Sequence, residues 1–374
     1  MRGQIRKRGK SYSVVVFAGK DAKGKKKYIW ESFRTSDQAQ KRLTELLHQI
    51  DTGTLARPKG TLGEFTEQWL RDYAKTRNLM PTTVQGYESI YRSGIRPLLG
   101  NILLKDLRPS HIQEYITSKL SAGVSNTTTR HHVVFLHDVL ETAVKWQLLM
   151  RNPVDSVTIP KIIKHEMKIL NEQQATIILI EVKDTKYYPI FSLALYTGMR
   201  QSELLALQWS DIDLLMAELS VNKSLHRLNN GEYVKTKTKT AKSNRKIALS
   251  PDTCIMLRQY LENELKKCSE SGIKFTDDRL VFCEWDGKPL NPDTVTRHWK
   301  RIIKRLNYPP VRFHDLRHTM ASWMLMKGIS PKIVQERLGH AGISTTLDIY
   351  SHVTPGMQRE AVEIFDKILT HNGD

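Results

Sequence analysis

The sequence predicts a multidomain α+β protein: a small three-stranded sheet plus one helix at the N-terminus, an all-α bundle, and a mainly α unit with a small antiparallel sheet. Three observations predict it. At 374 residues the chain is too long for one ordinary core. Short apolar and aromatic runs interleaved with charge fill residues 1–55, whereas from residue 61 the apolar positions recur at helical spacing. Two stretches, 56–60 and 156–168, break the pattern and read as linkers, the second by its mixture of β-branched residues, Pro and Lys. The units expected are therefore 1–55, 61–155 and 168–374.

The charge balance restricts what those units do. Lys and Arg number 58 against 39 Asp and Glu, a net +19 spread along the chain, and solubility alone does not require such a surplus. A polyanion is the natural partner, because each cation that neutralises a backbone phosphate releases counterions. No apolar run approaches the roughly 20 residues of a membrane span, and the start M-R-G-Q-I-R-K-R-G-K is unlike a signal peptide. A cytoplasmic protein is expected. Cys254, Cys268 and Cys283 are odd in number and scattered, which indicates neither a disulfide framework nor a zinc site.

Residues 12–17 and 28–33, with a Gly-containing turn region at 19–24, read as part of the first sheet. A helix follows, capped by Thr35 or Ser36, with Ala39, Leu43, Leu47 and Ile50 on one face and Gly53 past its end. Residues 1–60 hold fifteen Lys or Arg against five Asp or Glu. A basic sheet backed by one helix is suited to a DNA groove; the alternative is a charged module with no partner. Thr61 and Glu64 form a capping signature, and further helices should start at Thr82 or Thr83, Ser110 and Asn126, the last with Val133, Leu136, Leu140 and Val144 in register. His131 and His132 are adjacent, do not share a helix face, and so read as surface or packing residues rather than a metal pair.

The third unit opens with a second capping signature, Asn171 and Gln174. Residues 188–196 form a buried helix stopped by Gly198, and Arg200 and Glu203 follow in T-G-M-R-Q-S-E, one turn apart. Residues 210–213 should turn into a strand, 245–249 should return, and the hairpin between them carries Lys235, Lys237, Lys239 and Lys242. Residues 251–306 read as helical with a short strand at 280–282. The stretch 314–350 then carries H-x-x-R at His314 and Arg317, L-G-H ending at His340, and Tyr350 in S-T-T-L-D-I-Y, with Ser344 or Thr345 as cap of a short helix. Leu316, Met320 and Trp323 are the core face of the helix after His314, and His318 is structural. His314 and His318 lack a third zinc ligand or an H-E-x-x-H context.

Taken in order, Arg200, Lys239, H-x-x-R at 314–317, L-G-H at 338–340 and Tyr350 resemble the tyrosine recombinase, or phage integrase, family, and the resemblance covers essentially the whole chain. By layout the chain is similar to integrases of temperate phages and integrative conjugative elements. The resemblance implies an N-terminal arm-type DNA-binding domain, a helical SAM-like core-binding domain and a C-terminal catalytic domain. It also implies DNA cleavage through a 3′-phosphotyrosyl intermediate and a Holliday junction, by a homotetramer on core and arm sites of double-stranded DNA. An excisionase or a DNA-bending protein is a further partner it allows. The bond energy stays in the ester, so no cofactor and no metal is implied; the sequence likewise has neither a G-x-x-x-x-G-K-[ST] loop nor an acidic cluster for Mg²⁺.

The chemistry explains the residue types. A phosphodiester repels nucleophiles, so its non-bridging oxygens must be neutralised as charge builds, and Arg donates in a planar fork while staying charged. Arg200 and Arg317 are the expected clamp. A phenol titrating near pH ~10 attacks poorly at neutral pH, so the cations should favour the phenolate of Tyr350 and His314 should accept its proton. In the family a hairpin Lys protonates the leaving 5′ oxygen. Lys239 fits by its spacing to the return strand, with Lys237 and Lys242 as rivals. His340 should donate to a non-bridging oxygen, and Glu203 should orient Arg200 or His314. Beyond the tyrosine, Ala361, Ile364, Phe365 and Ile368 share one face of a helix that docks on a neighbouring protomer or on its own domain. Two other functional classes fit parts of the pattern: an inactive DNA-binding regulator of the same fold, and a relaxing type IB topoisomerase, against which the basic first domain argues.

Overall fold

The computed structural model describes residues 3–9, 11–20, 26–51, 60–73, 76–77, 79–162, 168–237, 244–350, 362 and 366, and at 18–20, 26–27, 49–51, 237 and 348–350 the backbone alone. The chain folds as two compact units, residues 1–164 and 165–374. Among the described residues no helix is long and apolar enough to cross a membrane.

Two hydrophobic cores lie within the first unit. Strands β1 (Gly3–Arg8), β2 (Ser11–Lys20) and β3 (Lys26–Phe33) form an antiparallel sheet in that order, with a register shift between Phe17 and Gly19. Val14 and Val16 are fully buried with Ala39 and Leu46 of the helix Ser36–Asp51, whose start is tied by Gln38 N–H to Thr35 Oγ1 at 3.3 Å. Of the predicted helix face, Leu43 and Leu47 are partly buried, and Leu46, not expected, is the better-buried residue. Tyr28 and Trp30, two apart on β3, are half exposed, and the Arg6 and Arg8 guanidinium carbons each lie 5.9 Å from the Trp30 ring centre.

The second core is all helical. The Thr61 side chain accepts from Glu64 N–H and the Glu64 carboxylate accepts from Thr61 N–H at 2.8 Å, which starts Leu62–Gln68. Pro81, Pro109 and Asn126 open the next long helices, Pro81–Ser89, Pro109–Ser121 and Asn126–Lys145. The first two starts differ slightly from expectation because Pro takes the first helical position, where its missing N–H costs nothing. Val133, Leu136 and Leu140 are fully buried, as their spacing demands. His131 is exposed while His132 is buried and bonds Tyr115 Oη through Nδ1 at 2.6 Å. Wider π-helical turns at Trp69–Tyr73 and Ile90–Ile95 were not predicted.

In the second unit the Asn171 side chain accepts from Gln174 N–H at 2.8 Å and opens Glu172–Val182. The helix Tyr188–Thr197 buries Ile190, Phe191, Leu193 and Leu195 almost completely. At about 1.5–3 kcal/mol for each large apolar side chain, this helix is a main anchor of the unit. Strands β4 (Ile212–Asp213), β5 (Glu218–Val221) and β8 (Arg245–Ala248) form one antiparallel sheet, and β6 (Lys223–Arg227) pairs with β7 (Tyr233–Lys237) in another.

Two expectations need correction here. Residues 210–213 are not the turn: Trp209–Asp211 is a 3₁₀ turn leading into β4, and the chain reverses at 214–217, where Asp213 Oδ1 accepts from Leu215 and Met216 N–H. The Lys-rich stretch is not one long hairpin tip either. Gly231 (φ +89) lets the chain turn at 228–232, so Lys235 and Lys237 lie on the returning strand, opposite Leu225 and Lys223. The predicted helix face at 361–368 lies largely outside the described residues.

Candidate active site

The buried helix Tyr188–Thr197 ends at Gly198, which adopts the left-handed φ of +64 that an L residue resists. A Cβ there would also run into the ends of the buried Met320 and Leu338 side chains, which would have to shift. This stop places Arg200 at the N-cap of the short helix Gln201–Leu204. Its backbone N–H donates to Glu203 Oε2 at 2.8 Å and its Nη1 to Glu203 Oε1 at 2.7 Å, while 37% of the side chain stays exposed.

Glu203 does not reach His314 with any hydrogen bond. Its second partner is Arg245, the first residue of β8, whose Nη2 and Nη1 donate to the carboxylate at 2.8 and 3.2 Å. Both side chains are almost fully buried, Glu203 at 3% and Arg245 at 5% exposure. Burial alone would raise the Glu203 carboxyl. The Arg245 guanidinium, and behind it Arg200, overcome that and hold it below the usual carboxylate range. Arg245 is the residue that sequence reasoning missed. Its only signal was a cation opening an otherwise apolar-alternating strand, and its partner lies 42 residues upstream.

Arg317 sits in the first turn of Asp315–Met326 and is 3% exposed. Nη1 donates to the Gly198 carbonyl at 2.8 Å and Nη2 to the Leu338 carbonyl at 2.7 Å, so one guanidinium joins the Arg200 loop to the segment entering His340. Burial first, and Arg200 second, lower this guanidinium to about 9, which leaves it charged at neutral pH. Leu338 closes the helix Pro331–Leu338, and Gly339 turns the chain with a φ of +67. His340 follows, 8% exposed, with Nδ1 2.9 Å from Thr346 Oγ1. Burial, then Arg317 and Arg200, push its imidazole down to about 3.

His314 is the N-cap of Asp315–Met326, and its ring meets that of His318 edge-on at 5.3 Å. Although His314 as a whole residue is exposed, desolvation of its imidazole, then His318 and Arg317, push it down to about 4. Both candidate imidazoles are therefore neutral at pH 7. His318 is half buried, consistent with packing, as are Leu316 and Met320, both buried.

Tyr350 ends the helix Ile343–Tyr350, which begins before Ser344 and Thr345, so both lie inside the helix rather than capping it. The Tyr350 side chain lies outside the described residues, as do Lys239 and Lys242. The structure thus brings Arg200, Glu203, Arg317 and His340 together through bonded neighbours, sets His314 beside Arg317, and adds Arg245. Three guanidinium groups around one carboxylate leave a surplus of positive charge. Two neutral imidazoles beside it can accept or donate a proton, a setting suited to a phosphate.

Comparison with known proteins places the chain in a family. The phage integrase family matches residues 160–357, the N-terminal SAM-like domain of phage integrases residues 61–120, and an arm DNA-binding domain residues 4–50. The ICEBs1 integrase of Bacillus subtilis is 30% identical over 260 residues, covering 69% of this chain and 70% of its own. The Tn1549 transposon integrase, solved with a circular intermediate DNA, superposes with a TM-score of 0.70 at 22% identity over 82% of this chain and 100% of that one. A lambda integrase tetramer bound to a Holliday junction gives a TM-score of 0.58 at 19% identity over 92% and 96% of the two chains. At these identities the structural likeness speaks for the fold. This chain belongs to the phage integrase family. It is a tyrosine recombinase, an enzyme of DNA strand cleavage and transfer, and the reading as an inactive regulator is not favoured.

Proposed function

We propose that the protein is the integrase of a mobile element, recombining DNA at two attachment sites as a homotetramer through a Holliday junction, for integration and for excision. In this reading residues 1–55 bind arm-type sites, 61–155 embrace the core site and 168–374 carry the chemistry. The enzyme works in the bacterial cytoplasm at the nucleoid, and an excisionase or a DNA-bending protein is a further partner that the family resemblance allows.

Arg200 and Arg317 hold the non-bridging oxygens of the scissile phosphate, and the Nε2–H of His340 donates to one of them. The Tyr350 phenol oxygen attacks phosphorus as its proton passes to neutral His314. The bond to the 5′ oxygen breaks, that oxygen takes a proton from Lys239, and a 3′-phosphotyrosyl ester remains. Glu203 keeps Arg200 in place. The observation that carries the reading is the assembly of Arg200, Arg317 and His340 from segments far apart in sequence, with His340 bonded to the helix that ends in Tyr350.

A suicide substrate carrying a nicked core site tests it. Tyr350→Phe should bind that DNA as the parent does yet form no covalent adduct, whereas an adduct that persists overturns the assignment.

A further inference from the structure

The Thr346 side chain is fully buried, and its Oγ1 lies 2.9 Å from His340 Nδ1, its hydrogen-bond partner among the described residues. A hydroxyl carries one proton to give and lone pairs to receive, whereas a neutral imidazole carries one proton on either of two nitrogens. If Nδ1 held that proton, the hydroxyl would have to accept, and its own O–H would be stranded away from water. If Nδ1 is bare, the hydroxyl donates and every proton at this contact has a partner. A stranded buried donor biases the choice by roughly 5- to 150-fold.

The bond acts on the ring and not on the backbone around it. His340 N–H donates to the Gln335 carbonyl at 3.1 Å, and the His340 carbonyl accepts from Gln335 Nε2 at 3.2 Å, so the main chain is held independently. Burial beside Arg317 and Arg200 keeps the ring neutral, leaving a single proton to be placed. Thr346 also stands one helical turn before Tyr350, in the helix Ile343–Tyr350.

We propose that Thr346 is a positioning residue for strand cleavage: its hydroxyl donates to His340 Nδ1, fixes the imidazole proton on Nε2 where a phosphate oxygen can receive it, and links that ring to the tyrosine helix. The inference rests on His340 acting as the phosphate donor. It adds the residue that makes the ring a donor, through the principle that the partner of one ring nitrogen sets the state of the other.

The test uses the full chain with ¹⁵N-labelled histidine. Thr346→Val keeps the shape and removes the hydroxyl; Thr346→Ser keeps the hydroxyl. The expected result for Val is an Nδ1–H population appearing in the His340 side-chain spectrum. Adduct formation on the nicked substrate should slow by about 10- to 50-fold, with DNA affinity unchanged. Ser should stay within about threefold of the parent, and Val should add no further loss in a His340→Ala background. The proposal is overturned if Val leaves the rate and the tautomer as they were, or if Ser and Val slow equally while Nε2–H persists. Should Val not fold, Thr346→Ala takes its place with the same readouts. If Val shifts the tautomer but His340→Ala cleaves at the parental rate, the role of His340 is what fails, and the tautomer assignment stands.

Discussion

Replacing Glu203 by Gln removes one charge from a pair that water barely reaches. Glu203 is 3% and Arg245 5% exposed, so the guanidinium left behind stays desolvated, with its Nε still donating to the Arg337 carbonyl at 2.7 Å. Breaking such a pair costs about 3–5 kcal/mol. Gln keeps one carbonyl oxygen for Arg245, which puts the expected loss near the lower figure, about 3 kcal/mol. Arg200 adds little, because 37% of its side chain is in water and an exposed pair contributes about 0–1 kcal/mol. For a unit of roughly 200 residues the melting temperature should fall by about 6–12 °C. The assay is thermal unfolding of the parent and of Glu203→Gln from pH 3.5 to 8. The sign follows from the carboxyl being held below its ordinary 4.5: its contribution is complete above that value and is lost as pH falls through the lower, folded-state value. The gap between the two proteins should be constant from pH 6 to 8 and narrow below about 4.5. A gap below about 1 kcal/mol, or one that does not narrow in acid, refutes the argument.

Three further expectations follow from other parts of the fold. Because His314 is pushed down to about 4 from its ordinary 6.5, it is already an acceptor at pH 6, and the rate of adduct formation should show no step near 6.5; a step there that His314→Gln abolishes would contradict this. Gly198 and Gly123 both have positive φ, but a Cβ at 198 meets Met320 and Leu338 whereas one at 123 meets open space, so Gly123→Ala should cost about 1 kcal/mol and Gly198→Ala at least about 2–3 kcal/mol in urea unfolding. Equal losses would show that backbone strain alone matters. Tyr115→Phe leaves His132 Nδ1 without its 2.6 Å partner in a buried place and should cost about 1–3 kcal/mol, read from the unfolding of the helical core. A loss within about 0.5 kcal/mol would mean that the bond contributes no net stability.

What could be read from the sequence was local. The capping pairs at Thr61 and Glu64 and at Asn171 and Gln174, the stop at Gly198, and the Arg200 and Glu203 pair all join residues three or four apart, so their spacing alone defines the geometry. The missed features are tertiary. Arg245 reads as one more basic residue of a strand until Glu203 is brought beside it, and Thr346 reads as one of a pair of threonines after a cap until His340 folds onto it. The β6–β7 hairpin was hidden by its own lysines, because alternation between Lys and Thr looks like a solvated loop unless the facing strand is known.

The two backbone carbonyls held by Arg317 make this residue do double service: the cation that would face the phosphate also closes the fold around it. Lysine would keep the charge but could not span both carbonyls with one rigid fork. Substitutions at 317 should therefore yield misfolded protein more readily than a folded, silent enzyme. Anyone wanting an inert copy that still occupies DNA should alter the chain at Tyr350 and leave this arginine alone. A lineage that lost the activity through drift at 317 would lose the fold of the unit 165–374 with it.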